Sequence, residues 1–174
     1  MRFLLTVTGA SLLASPALAD QIKVGVTIPE LDVAEYHKPY VAAWIAKEDH
    51  SVAANLAVWY QLEKRGSDEG ETWLKDLRQW WRRAGRSIEM PKDGLSGPTH
   101  APGAHDMTFD TRSGPFADLD PGSYTLVIES VREVGGREMV NVPFKWPLQA
   151  GQTLMAEGET ELGAVQLALI SSID

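Results

Sequence analysis

The sequence predicts a mainly β fold, an immunoglobulin-like β-sandwich carrying one inserted amphipathic helix at about 72–84. Three observations predict it. Short runs with apolar and polar residues alternating recur along the chain, turn-forming Gly, Pro and Asp residues punctuate them, and a single stretch switches from period two to a helical period.

The first run, Gln21-Ile22-Lys23-Val24-Gly25-Val26-Thr27-Ile28, alternates at period two and stops at Pro29, as a half-buried strand does. Two β-rich runs follow at 40–46 and 52–60, joined by the charged Lys47-Glu48-Asp49-His50, which reads as a hairpin turn. Asp120-Pro121-Gly122 has turn chemistry and introduces a strand at 123–131. Gly135-Gly136 then reverses the chain into 138–144, and the run 162–170 closes a domain of about seven strands.

The helical stretch places Trp73, Leu74, Leu77, Trp80, Trp81 and Ala84 on one face. Thr72 suits an N-cap, Gly85 a left-handed residue after the C-terminus, and Arg82 and Arg83 the last turn, where the helix dipole favours cations. Such a helix is expected to lie across a sheet face or an open end of the sandwich, with Trp80 and Trp81 packed inward.

The N-terminus has the order of a secretory signal: Arg2, an apolar run over 3–13, then Ser15-Pro16-Ala17-Leu18-Ala19 ahead of Asp20. Residues 1–19 are therefore expected to be a signal peptide cleaved after Ala19, and 20–174 a single periplasmic domain. Removing 19 residues from 174 leaves 155, enough for one sizeable core. No apolar run approaches the roughly 20 residues of a membrane span, so the exported chain is expected not to cross the membrane. Without Arg2 the 16 basic residues fall to 15 against 24 acidic, a net charge of −9 that lacks the electrostatic footprint of a nucleic-acid binder. The absence of cysteine removes disulfides, c-type haem attachment and iron–sulfur ligation.

Between the helix and the strand at 123 lies a long stretch, 87–118, rich in Gly, Pro, Asp, Ser and Thr, and loops of that length are often functional. Within it stands Asp93-Gly94-Leu95-Ser96-Gly97-Pro98-Thr99. This string resembles the acceptor motif recognised by FAD:protein FMN transferases, in which Asp precedes a Ser/Thr-Gly-Ala-Thr/Ser core. The resemblance implies that Thr99 receives FMN as a phosphoester, with Asp93, Gly94, Ser96 and Gly97 forming the acceptor turn. Pro98 departs from the motif's usual Ala, removing one backbone donor and biasing Gly97 toward extended backbone. His100, next in the chain, is a candidate hydrogen-bond donor to the flavin phosphate.

A second resemblance covers most of the exported chain. Lys38-Pro39-Tyr40-Val41-Ala42-Ala43-Trp44-Ile45, Leu56-Ala57-Val58-Trp59-Tyr60, the segment from Trp73 to Arg82, the stretch from Asp93 to Gly103, and Leu119-Asp120-Pro121-Gly122-Ser123-Tyr124-Thr125-Leu126 are similar to the predicted periplasmic proteins called domain of unknown function 2271. That resemblance implies association with PepSY-domain membrane reductases and FMN transferases, and a part in extracytoplasmic flavin-based electron transfer, in some cases linked to iron acquisition.

Other chemistry has weaker footing. No nucleophile-elbow sequence and no phosphate loop is present, so no catalytic residue is assigned. His100, His105 and Asp106 form the one cluster with metal-ligand chemistry, but a histidine pair five apart has no characteristic zinc spacing, and no metal site is assigned. Lys75, Arg78, Arg82, Arg83 and Arg86 read as a solvated helix face, with Arg82, Arg83 or Arg86 near the flavin phosphate as the functional alternative. Two functions stay open: a flavin carrier modified at Thr99, and a non-catalytic binding or scaffold module for a membrane partner.

Overall fold

The computed structural model describes residues 20–62 and 69–170, and the expected signal segment 1–19 lies outside them. Among the described residues nine strands form two sheets packed face to face, so the β-sandwich class is as the periodicity indicates. They are β1 (Gln21–Ile28), β2 (Tyr40–Lys47), β3 (Val52–Tyr60), β4 (Ser96–Pro98), β5 (Gly103–Asp110), β6 (Gly122–Val131), β7 (Arg137–Trp146), β8 (Thr153–Glu157) and β9 (Ala164–Ile170). The first sheet has the order β5-β1-β9-β8 and the second β4-β3-β2-β6-β7. Every pairing is antiparallel except β3 with β4.

Alternation sorts the strand residues. In β1, Ile22, Val24, Val26 and Ile28 turn inward to meet Val41, Ala43 and Ile45 of β2 and Leu126 and Ile128 of β6. Tyr124 opens β6, and its hydroxyl donates to the Asp120 carbonyl at 2.9 Å, closing the corner that Asp120-Pro121-Gly122 begins. A tyrosine tied back in this way is a hallmark of immunoglobulin-like sandwiches.

The central strands of the second sheet, β3, β2 and β6, have side chains buried on both faces. Ala42, Trp44, Ala46, Val58, Tyr60 and Val127 point outward into a second core, and residues 69–90 cover them. This covering differs from the continuous helix expected at 72–84. It consists of α1 (Glu69–Thr72), a 3-10 turn (Leu74–Asp76), α2 (Arg78–Arg83) and a second 3-10 turn (Gly85–Ser87). The break falls at Leu77, with φ −72° and ψ 68°. Burial accounts for it: Leu74, Leu77 and Trp80 all face the sheet and lie three apart, a spacing that a 3-10 turn aligns and an α-helix rotates away.

The expected caps change accordingly. Thr72 ends α1, and Gly85 takes no left-handed conformation. Glycine is required at 85 by space, because a Cβ there would lie 2.5 Å from the Trp80 ring. The first amides of α2 are satisfied from the sheet instead. Glu129 of β6, fully buried, accepts from Trp80 N at 2.8 Å and Gln79 N at 3.1 Å and pairs with Arg137 Nε at 2.7 Å. Trp73 is the exception to the expected apolar face, since over half of its surface stays in solvent.

The stretch 87–118 is also more ordered than its composition suggests. It contains β4, all of β5 and a 3-10 turn (Gly114–Phe116). His105, Met107 and Phe109 of β5 alternate with more exposed neighbours, the period-two signal within a Gly- and Pro-rich setting. Two carboxylate anchors tie the remaining turns. Glu161 holds Arg132 through two hydrogen bonds of 2.9 and 3.0 Å in a buried pair, while Glu138 accepts from the amides of Glu159, Thr160, Glu161 and Leu162. Burial alone pushes the Glu138 carboxyl up, but those four amides outweigh it and hold the group below its ordinary value.

Candidate functional site

The Asp93–Thr99 motif lies at one edge of the second sheet, where the chain crosses to the first. Asp93 and Gly94 form an exposed turn, and Gly94 has φ 73°, a conformation glycine adopts at little cost. The turn closes on Lys92: its carbonyl accepts from Leu95 N at 3.1 Å and Ser96 N at 2.9 Å, while its own amide donates to Ser96 Oγ at 2.9 Å. The Ser96 hydroxyl thus shapes the turn. Leu95 is the anchor, tucked into the second core, and its carbonyl accepts from Val58 N at 2.8 Å.

Ser96, Gly97 and Pro98 then run parallel to Val58, Trp59 and Tyr60 as a three-residue edge strand. An edge strand tolerates proline, and Pro98 stands exposed on it. Gly97 crosses the Trp59 indole so closely that a Cβ would come within 3.1 Å of Cδ1.

Thr99 is the first residue beyond the edge strand and is half-buried. Residues 99–102 carry the chain from the edge of one sheet to the edge of the other, where β5 begins. His100 packs edge-on against Trp59 with ring centroids 4.3 Å apart, and 4.5 Å from His105. His105 Nε2 lies 2.8 Å from the Ala101 carbonyl and so pins the crossover. Burial, then the neighbouring His105 and Lys38, push the His100 imidazole below its ordinary value, favouring the neutral ring.

The structure therefore brings Gly97 and His100 against Trp59, and His100 against His105, with Thr99 between Gly97 and His100 in the chain and Asp93 and Gly94 on the outer turn. Trp59 and His105 were not singled out with the motif. The signal was available only after β3 and β5 were placed, because the motif touches Trp59 through strand pairing across nearly 40 positions of sequence.

The structure also places the residues of two alternatives read from the sequence. His105 and Asp106 are consecutive in β5 and point to opposite faces: Asp106 pairs with Lys23 Nζ at 2.7 Å, away from the His100–His105 contact. Among the described residues no group of three His, Cys, Asp or Glu side chains is arranged to hold a metal ion. Arg82, Arg83 and Arg86 lie on the segment covering the sheet, and Arg83 reaches the His50 carbonyl beyond β2 rather than the acceptor turn. Trp80 is sealed in the second core, with its Nε1 donating to Asn55 Oδ1 at 2.9 Å.

A cleft of about 540 Å³ opens at the opposite end of the sandwich, lined by Tyr124, Phe144, Pro147 and Leu154 among others, and shares no residue with the acceptor motif. The comparison with family models supplies the decisive observation: residues 21–164 match the model described as "Predicted periplasmic protein (DUF2271)". The chain belongs to this family. The DUF2271 match spans β1 to the start of β9 and so takes in the acceptor turn, the crossover and the helical covering. No curated protein and no solved structure matches the chain. Among the described residues no helix is long and apolar enough to cross a membrane.

Proposed function

We propose that this DUF2271 protein is a periplasmic flavin carrier, with one FMN esterified to Thr99, that relays electrons with a PepSY-type membrane reductase and turns over no substrate of its own. The observation that carries the reading is the position of Thr99. An acceptor hydroxyl must enter the active site of an FAD:protein FMN transferase, and Thr99 leaves the end of a three-residue edge strand beside an exposed glycine turn.

The transfer itself balances simply. The Thr99 oxygen attacks the FMN phosphorus of FAD, the pyrophosphate P–O bond breaks, AMP departs and the hydroxyl proton goes to the transferase. The residues of this chain fit the product: Ser96 is committed to the turn, which leaves Thr99 as the available hydroxyl, and His100 adjoins it as a donor to a phosphoester oxygen.

The test is intact-protein mass after co-expression with a transferase. Wild type should gain the mass of one FMN less one water, Thr99→Ala should gain nothing, and Pro98→Ala should gain as much as wild type or more. An unmodified wild type across several transferases overturns the carrier and leaves the alternative, a periplasmic binding or scaffold module for a membrane partner.

A further inference from the structure

The solvent side of the segment covering the second sheet is strongly basic in an otherwise acidic protein. Between positions 70 and 90 the exposed cations are Lys75, Arg78, Arg82, Arg83 and Arg86, against a single exposed carboxylate, Glu89. The remaining carboxylates there, Glu71 and Asp76, are half-buried and near enough to Tyr60 and Tyr40 to act on their phenols. Arg78, Arg82 and Arg86 recur every four residues and have no carboxylate partner among the described residues.

Cations without partners and facing solvent are common on helices; an exposed indole among them is not. Trp73 keeps 53% of its surface in water, and the Lys75 ammonium stands 5.5 Å from the centre of its ring. Folding does not need Trp73 outside: the same segment buries Leu74, Leu77 and Trp80 completely.

We infer that this face docks on a membrane surface bearing anionic phospholipid headgroups, with Trp73 at the headgroup level and Arg78, Arg82 and Arg86 on the phosphates. Indole rings favour the membrane–water interface, and guanidinium forks match phosphate oxygens two at a time. Charge complementarity fixes the orientation. With 24 acidic residues in the chain, the other surfaces are repelled by the same headgroups that attract this one. Docked so, the protein lies with the second sheet toward the bilayer. The inference is independent of flavin at Thr99.

The test uses full-length protein recovered from the periplasm and vesicles of phosphatidylglycerol with phosphatidylethanolamine, set against vesicles of phosphatidylcholine alone. Co-sedimentation should show binding to the anionic vesicles only, weakening steeply as salt rises. Each cation near the surface contributes about fivefold, so the triple variant R78Q/R82Q/R86Q should bind on the order of a hundredfold more weakly. Brominated acyl chains should quench wild-type fluorescence, and Trp73→Phe should lose most of that quenching. All four positions are exposed, and unchanged circular dichroism would certify the fold of each variant. Equal binding to both vesicle types, or a triple variant that binds like wild type, overturns the proposal. Binding to soluble polyglutamate with none to vesicles also overturns it, and assigns the face to an acidic protein.

Discussion

Two irregular segments lie against the second sheet, and they are held in different ways. Residues 69–90 bury Leu74, Leu77 and Trp80 and receive the Glu129 carboxylate as a cap from the sheet below. Residues 91–102 bury Leu95 alone among their large side chains and otherwise rest on a three-residue parallel pairing and the contacts of His100 and Ala101 with Trp59 and His105. Burying one leucine contributes roughly 1.5–3 kcal/mol, so three large apolar anchors outweigh a single one several-fold. The covering seals Trp44 and Tyr60 under it, whereas a turn that accepts FMN, as proposed, would have to leave the sheet and enter another protein.

The sharpest way to break this comparison is to destroy the stronger anchor. Leu77 is fully buried at the bend before α2, and Leu77→Asp would place an unpaired carboxylate in the second core. The expected loss exceeds ~4 kcal/mol, enough to bring a domain of ordinary stability close to unfolding. Thermal melting followed by circular dichroism measures it. A melting temperature equal to wild type would mean that the covering contributes little to the fold.

A smaller perturbation separates the electrostatic anchor from the apolar one. Glu129→Gln keeps the shape but removes the charge that the Gln79 and Trp80 amides and Arg137 share. Hydrogen bonds to a charged group contribute about 1.5–3 kcal/mol, and Arg137, a third exposed, retains part of its solvation. Urea denaturation should therefore show a loss of ~2 kcal/mol with an unchanged slope. A neutral result would leave Leu74, Leu77 and Trp80 as the whole anchor.

How much of this was legible in the sequence follows the same division. Period-two and β-rich runs located β1, β2, β3, β6, β7 and β9, because each of those strands turns one alternating set of side chains into the main core. The helical stripe was real in composition but not in continuity. The helix that restarts after Leu77 is capped by Glu129, some 50 residues away, and no local pattern signals that a buried carboxylate will cap a helix from a neighbouring sheet. Strand β5 was hidden for the opposite reason: Gly103 and the prolines around it suggested loop, although His105, Met107 and Phe109 alternate. Strand β8 escaped because Met155 points to solvent and leaves Leu154 and Ala156 as a faint alternation. At the candidate site the motif named the residues of the turn, but Trp59 and His105 arrive by pairing of distant strands.

The mildest prediction compares two amides held by bonds of equal length. Trp80 N donates to Glu129 Oε2 at 2.8 Å in the covering, and Val58 N donates to the Leu95 carbonyl at 2.8 Å beneath the acceptor turn. Bond length alone would give them similar protection from hydrogen exchange. Segment stability separates them, because Val58 needs only the opening of residues 95–102, His100 among them, whereas Trp80 needs the covering to lift with its three apolar anchors. Val58 should therefore exchange faster by at least about tenfold after correction for intrinsic rates. The gap should widen on acidification. The His100 imidazole lies below its usual value of 6.5 in the folded crossover, so the opened segment binds more protons, and stability that is full above 6.5 is lost as pH falls from there toward the depressed value. Trp80 contacts no histidine and should not follow that window. Equal protection of the two amides at neutral pH would show that the edge strand is held as firmly as the covering, and would remove the physical basis for a detachable acceptor turn.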